Sequence, residues 1–318
     1  MKSLTPIDNW SHLTQLVMNS LDSPRTRESY GESLGLFFTW YRQTKQPGFT
    51  RKVVQEFRTL LLSRAAPATV NLRLAAIRKL ASEAAEHGFI TRPDAAAITG
   101  IHGARAGGKP VGFWLTKTQI ERLFRLPVSL NPRNAVKAAR DRAILMLLTG
   151  TGLRRDEAAG LRWGQLQQRE GRWVLVDILG KGSKLRTVPV PAFAWVALEE
   201  WRTYGVFRDG SEQDLRTDKS DSIFHPVTRY GHVEAASLSP QAIYKLVRGY
   251  GEALGVKKLA PHDLRRSFSR LADKNKASME QLRITLGHST IVTTQRYLGS
   301  DQNFAEAPCD VLGLDVEE

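Results

Sequence analysis

One cysteine, Cys309, occurs in 318 residues. A single thiol forms no disulfide within the chain and no cysteine zinc site, which excludes the small disulfide-framed scaffolds of secreted proteins. Long apolar runs are missing as well. The longest, Ala143 to Thr149, falls far short of the ~20 residues that span a bilayer. No basic segment followed by an apolar run opens the chain as a secretory signal would. These absences predict a cytoplasmic protein with no membrane partner. Acidic side chains are scarce relative to basic ones: 32 Asp+Glu stand against 46 Lys+Arg, a net charge of +14. Such a field attracts polyanions and releases their counterions on binding. The excess is not a tail. Residues 1–112 carry 15 Lys/Arg and 8 Asp/Glu, or +7, which leaves the other +7 on the rest of the chain. Both halves are therefore expected to meet a polyanion.

The length suits two domains, and 42% apolar content supplies two cores. Residues 1–100 read as a small helical bundle. Ser23-Pro24 is a helix start with proline at its first position. Tyr30, Leu34, Phe37, Phe38 and Tyr41 come next at three- and four-residue steps, giving one apolar face. A short helix is expected over Val53–Leu62. A longer one runs from Pro67-Ala68-Thr69 to a glycine cap at Gly88, with Val70, Leu74, Ile77, Ala81 and Ala84 on one face. A first helix is expected near Trp10–Leu21. Residues 101–112 are glycine-rich, basic and aperiodic, the composition of a flexible linker.

Residues 113–318 read as a mixed helical and β domain. Thr116 with Gln119 makes a capping box. Helices are expected from about Asn134 to Leu148 and around Arg154. The β signal is confined to Arg172–Leu179 and Leu185–Val190, joined by the turn Gly180-Lys181-Gly182-Ser183-Lys184. Helices resume over Ala192–Tyr204, then Ser239–Leu254, His262–Asp273, Ser278–Leu286 and Thr290–Leu298. A polar surface loop is expected over Arg208–Ser222, and a tail over 300–318. The fold class is thus mainly α with a small sheet.

Chemistry concentrates late in the chain. His262-Asp263-Leu264-Arg265-Arg266 is succeeded by Leu286-Gly287-His288-Ser289 and by Gln295-Arg296-Tyr297; Arg154 lies far upstream in Thr151-Gly152-Leu153-Arg154. Two arginines, two histidines and a tyrosine, without an acidic cluster for a metal, suit attack of a phenol on a phosphodiester held between guanidinium forks. Taken singly, each is an ordinary residue in a basic chain. His262 and Arg265 lie three apart on one helix face, which ties them together. His12, His87, His102, His225 and His232 join no such group.

These segments closely resemble the tyrosine recombinase, or phage integrase, family. The match runs through Thr151-Gly152-Leu153-Arg154-Arg155-Asp156-Glu157, the segment Gly180 to Pro189, His262 to Arg266, and Leu286 to Ser289 with Tyr297, in the family's order and at ordinary spacing. It covers the whole catalytic half and implies the family's simple two-domain type. The first domain would be the helical core-binding (SAM-like) domain, and the second the α+β catalytic domain. Arg154 and Arg265 would clamp the phosphate, and Tyr297 would attack it. His262 and His288 would support the transfer, either one taking the phenol proton. Lys181 would protonate the leaving 5′ oxygen, with Lys184 as its rival. Glu157 would orient the cluster. Arg155 and Arg266 stand beside the two clamp arginines, and by family position the first of each pair acts.

The resemblance implies site-specific cutting and rejoining of DNA strands through a 3′-phosphotyrosyl ester, with no metal, ATP or other cofactor. The partners implied are duplex DNA with inverted half-sites, a homotetramer on that DNA, and the tail, with Val311-Leu312-Gly313-Leu314 docking on a neighbouring protomer. A second recombinase or a DNA-bending protein remains open as a further partner. In the first domain, Arg25, Arg27, Arg73, Arg78 and Lys79 are candidates for phosphate contact, and Thr69 and Asn71 for base edges. The rival readings are a strand-passing enzyme of the type IB topoisomerase kind and a DNA-binding protein without catalysis.

Overall fold

In the computed structural model the described residues are 10–105, 113–180, 185–204, 220–290 and 294. The chain separates into two compact units, residues 1–109 and 110–318. The first unit holds α1 (Trp10–Asn19), α2 (Pro24–Gln43), α3 (Arg51–Arg64), α4 (Pro67–Glu86) and α5 (Arg92–Thr99). Serine and threonine hydroxyls start three of these helices, α2, α3 and α5. Ser23 accepts from the Thr26 amide and Thr50 from the Val53 amide, both at 3.4 Å. Leu34, Phe37, Phe38 and Tyr41 of α2 are buried. Trp10 reaches across from α1 to pack on Phe38 and Tyr41, with ring centroids at 4.6 and 5.1 Å. Each such pair adds about 1 kcal/mol beyond its buried area, so this aromatic knot fastens a short helix that would not persist alone.

Of the linker expected over 101–112, residues 101–105 are described and 106–112 lie outside the described residues. Ile101 and Ala104 are buried in the first core. Arg58 donates from Nε to the His102 carbonyl at 2.8 Å, and Arg78 donates to the Ile101 carbonyl. Asn71 grips Ala104 in both directions, donating from Nδ2 to its carbonyl at 3.1 Å and accepting its amide at 2.7 Å. Backbone groups of 101–104 are thus satisfied by α3 and α4 side chains, which removes the freedom that a glycine-rich stretch would otherwise have.

The second unit holds α6 (Lys117–Leu130), α7 (Ala135–Thr151), α8 (Arg155–Ala159), β1 (Leu166–Arg169), β2 (Arg172–Leu179), β3 (Leu185–Pro189), α9 (Ala192–Tyr204), α10 (Pro240–Ala253), α11 (Pro261–Lys274) and α12 (Met279–Leu286). The Thr116–Gln119 capping box forms as expected. Helix α7 is buried on nearly every side, the mark of a central helix. It packs against α6, α9 and α11. The sheet is antiparallel in the order β1-β2-β3, and its pairing shifts between Leu175 and Ile178, where Asp177 takes a φ of +54°. Such a bulge bends β2 and sharpens the local twist of the hairpin.

The fold class is mainly helical with one small sheet, as the sequence predicts. Two elements, α5 and β1, are additional. The expected loop over 208–222 lies outside the described residues up to 219. Its last residue, Ser222, is buried and bridges to Arg162, so that end belongs to the packed body. Of the helix expected over Thr290–Leu298, Thr290 and Thr294 are described, and Thr294 is helical. Among the described residues, no helix is long and apolar enough to cross a membrane.

Candidate active site

Helix α7 stops at Gly152, whose φ of +63° is left-handed. A side chain there would be strained, and its Cβ would stand 2.7 Å from Cδ1 of Phe268. The glycine lets α7 end hard against α11, so the Gly152 carbonyl meets Arg265 Nη1 at 2.6 Å. Leu153, fully buried, anchors the next step, and Arg154 emerges as the residue that precedes α8.

Arg154 and Glu157 hold each other across the first turn of α8. The Glu157 carboxylate accepts the Arg154 amide at 2.8 Å and Arg154 Nη1 at 2.8 Å. A carboxylate suits this place, because amides at a helix start are unsatisfied and the dipole there is positive. Glu157 also takes both terminal nitrogens of Arg186 from β3, at 3.0 and 2.7 Å. Burial works to raise its pKa, but the hydrogen bonds and charges of Arg186 and Arg154 outweigh burial and hold it below the usual carboxylate range.

Helix α11 opens on Pro261, and Asp263 ties the entry by accepting the Ala260 amide at 3.0 Å. One turn apart on this helix stand His262 and Arg265. Arg265 is 2% exposed. A guanidinium so enclosed must be given acceptors. It has the Gly152 carbonyl from the end of α7, the Leu286 carbonyl from the end of α12, and His288 Nε2 at 3.2 Å. Arginine only donates, so Nε2 accepts and the ring proton lies on Nδ1. That nitrogen then donates to Thr294 Oγ1 at 3.0 Å.

Both imidazoles are held neutral. Burial first, then Arg265, Arg154 and Arg186, push His288 down to about 4. Burial first, then Arg266, Arg265 and Arg154, push His262 down to about 4. The His262 side chain is exposed on the rim, where solvent screens those charges, so the enclosed His288 carries the firmer depression.

Arg154, His262 and Arg265 line one cleft of about 270 Å³, whose walls include Arg155 and Tyr244. Arg155 lies over the Tyr244 ring at 5.8 Å. His288 stands behind Arg265, and Glu157 lies under Arg154. The cleft therefore gathers positive charge beside one neutral imidazole, His262, with a second, His288, behind Arg265, an arrangement chemically able to hold an oxyanion and to move a proton beside it. Among the described residues, no three His, Cys, Asp or Glu side chains converge as a metal site. Lys181, Lys184 and Tyr297 lie outside the described residues.

The first unit treats its candidates unevenly. Arg25 and Arg27 are exposed, while Thr69 and Arg73 are half-buried on α4. Lys79 pairs with Glu83 at 2.8 Å. Asn71 and Arg78, candidates for a base edge and a phosphate, hydrogen-bond the backbone at 101–104 and so fasten that segment to α4. Neither interaction is visible in the helical stripe. His225 is a buried histidine with both ring nitrogens on carbonyl oxygens, of Ser222 at 2.9 Å and Ala236 at 3.0 Å.

Arg186 is the residue of this site that motif reasoning passes over. Its signal is present in the sequence. Arg186 and Val188 alternate on one face of β3, and Val188 is buried. A charged side chain on an inward face requires a partner.

Known proteins resemble this chain in sequence and in fold. The Phage integrase family pattern matches residues 113–303. The chain is 30% identical over 275 residues to tyrosine recombinase XerD of Lacticaseibacillus casei, which covers 86% of each protein. It is 29% identical over 321 residues to a tyrosine recombinase of Synechococcus elongatus, covering 95% of this chain and 93% of the other. Among solved structures, XerH site-specific recombinase bound to its difH substrate superimposes with a TM-score of 0.69 at 17% identity, over 95% of each chain. A lambda integrase dimer bound to a core site gives 0.67 at 16%, over 92% of this chain and 77% of that one. At such identities the structural likeness speaks for the fold alone. Family match and full-length relative together place this chain in the phage integrase family of tyrosine recombinases, enzymes of site-specific DNA recombination.

Proposed function

We propose that the cleft holds the scissile phosphate of duplex DNA between Arg154 and Arg265 while Tyr297 attacks it. The O–P bond to the tyrosine forms as the bond to the 5′ oxygen breaks. Lys181 gives a proton to the leaving 5′ oxygen, and the strand is left as a 3′-phosphotyrosyl ester and a free 5′ hydroxyl. The 5′ hydroxyl of a second duplex reverses the step, so bond energy is conserved without ATP. The observation that carries this reading is the buried Arg265, held by two helix-end carbonyls and by neutral His288 at the wall of a cleft it shares with Arg154 and His262. Paired guanidiniums stabilise charge growing on the nonbridging oxygens during in-line attack. Because His288 Nε2 already accepts from Arg265, His262 on the rim is the histidine assigned to the tyrosine proton.

The DNA is a site of inverted half-sites bound by two protomers, and two such pairs form a homotetramer. The tail around Val311–Leu314 docks on a neighbouring protomer. The protein works in the cytoplasm on the nucleoid or on a mobile element. Incubation in EDTA with nicked duplexes that carry sequences flanking its own gene, then a denaturing gel, tests the chemistry. A covalent protein–DNA band is expected for the wild type and not for Tyr297→Phe. Its absence on a duplex the protein demonstrably binds would replace this reading with DNA binding alone.

A further inference from the structure

We propose that Arg186 is a positioning residue of strand cleavage: it balances the charge of Glu157, so that Glu157 can orient Arg154 without cancelling it. This rests on Arg154 being a phosphate ligand. The geometry is a closed three-membered set. Glu157 Oε1 receives Arg154 Nη1 at 2.8 Å and Arg186 Nη1 at 3.0 Å; Oε2 receives the Arg154 amide at 2.8 Å and Arg186 Nη2 at 2.7 Å. All four acceptor sites of the carboxylate are used. The Glu157 and Arg186 side chains are 8% and 7% exposed, whereas Arg154 is 37% exposed and faces the cleft.

Charge counting shows what the third member does. Arg154 with Glu157 alone is a neutral pair, and a phosphate entering the cleft would meet a guanidinium already spent on a carboxylate. Adding Arg186 returns the set to one positive charge and gives each Glu157 oxygen a second cationic donor, which weakens its hold on Arg154. Arg186 is itself anchored. Its Nε donates to the Thr285 carbonyl at 2.9 Å, near the end of α12. Gly287 leaves room beside it, since a Cβ there would stand 3.1 Å from Arg186 Cδ. One side chain on β3 therefore braces the partner of Arg154 against the turn that delivers His288.

The test compares Arg186→Met, Arg186→Lys and the double variant Arg186→Met/Glu157→Gln in single-turnover cleavage of a nicked half-site, with half-site Kd and Tm measured alongside. Arg154→Ala serves as the control. Arg186→Met should lower the cleavage rate by about tenfold or more while Kd changes by less than about threefold. Arg186→Lys, which keeps the charge but loses the fork, should fall between the two. The double variant, with no buried carboxylate left to capture Arg154, should recover much of the rate. That recovery separates positioning from stability, and it remains readable if the single variant folds poorly. Wild-type cleavage by Arg186→Met, or a loss that a folded double variant fails to relieve, overturns the proposal while Arg154→Ala remains inactive. Undiminished cleavage by Arg154→Ala instead overturns the phosphate-clamp reading, and the role of Arg186 with it.

Discussion

His288 couples the cleft to pH. Its folded-state pKa of about 4 lies below the 6.5 of an exposed imidazole. As pH falls, the unfolded chain takes up this proton before the folded one does, so stability is full above about 6.5 and is lost between 6.5 and 4. The shift corresponds to roughly 3 kcal/mol at most. Denaturant unfolding at pH 7 and pH 4.5 should therefore show a larger loss for the wild type than for His288→Asn; equal losses would mean that His288 binds protons alike in both states. Single residues also show where the sequence is readable. Arg154, His262, Arg265 and His288 stand in segments whose residue types and order carry the chemistry, and the structure brings all four together. Arg186 and Asn71 are legible only as types. What they do depends on Glu157, 29 residues away, and on Ala104, 33 residues away. An off-stripe asparagine on a helix has the same pattern whether it faces DNA or its own chain.

Elements are readable in proportion to their period. The α2 and α4 helices have one apolar stripe each, and β2 and β3 are β-prone runs on either side of a glycine-bearing segment, so all four lie close to where pattern places them. Strand β1 reads Leu-Gln-Gln-Arg and exists because it pairs with β2, a contact invisible in four such letters. Helix α5 is eight residues of mostly small side chains, too short to show a stripe. The end of the first unit is set by packing rather than by composition, and that can be measured. A first-unit fragment ending at residue 100 loses buried Ile101 and Ala104 and leaves Arg58, Asn71 and Arg78 without their carbonyl and amide partners. It should be about 3 kcal/mol less stable than one ending at 105, on the order of 10 °C in Tm. Equal melting of the two fragments would restore 101–104 to the linker.

At the scale of the whole molecule, charge and contacts between distant parts of the chain dominate. The +14 is divided between both halves, so a single basic patch does not account for it. Removing residues 308–318 should leave binding to one half-site near the wild-type level and reduce the yield of the synaptic complex several-fold, read by native gel and sedimentation. Unchanged synapsis would take the tail out of assembly. The cleft itself is assembled from distant parts of the chain. Arg265 closes on the carbonyl of Gly152, 113 residues earlier, and on that of Leu286, 21 residues later. During synthesis, α7, α8 and the hairpin leave the ribosome well before the residues that enclose Arg265. A chain interrupted ahead of His288 has the basic first unit but an Arg265 without its imidazole partner. Translation order thus completes the proposed cutting centre late: until Leu286 and His288 are made, Arg265 lacks two of its three acceptors.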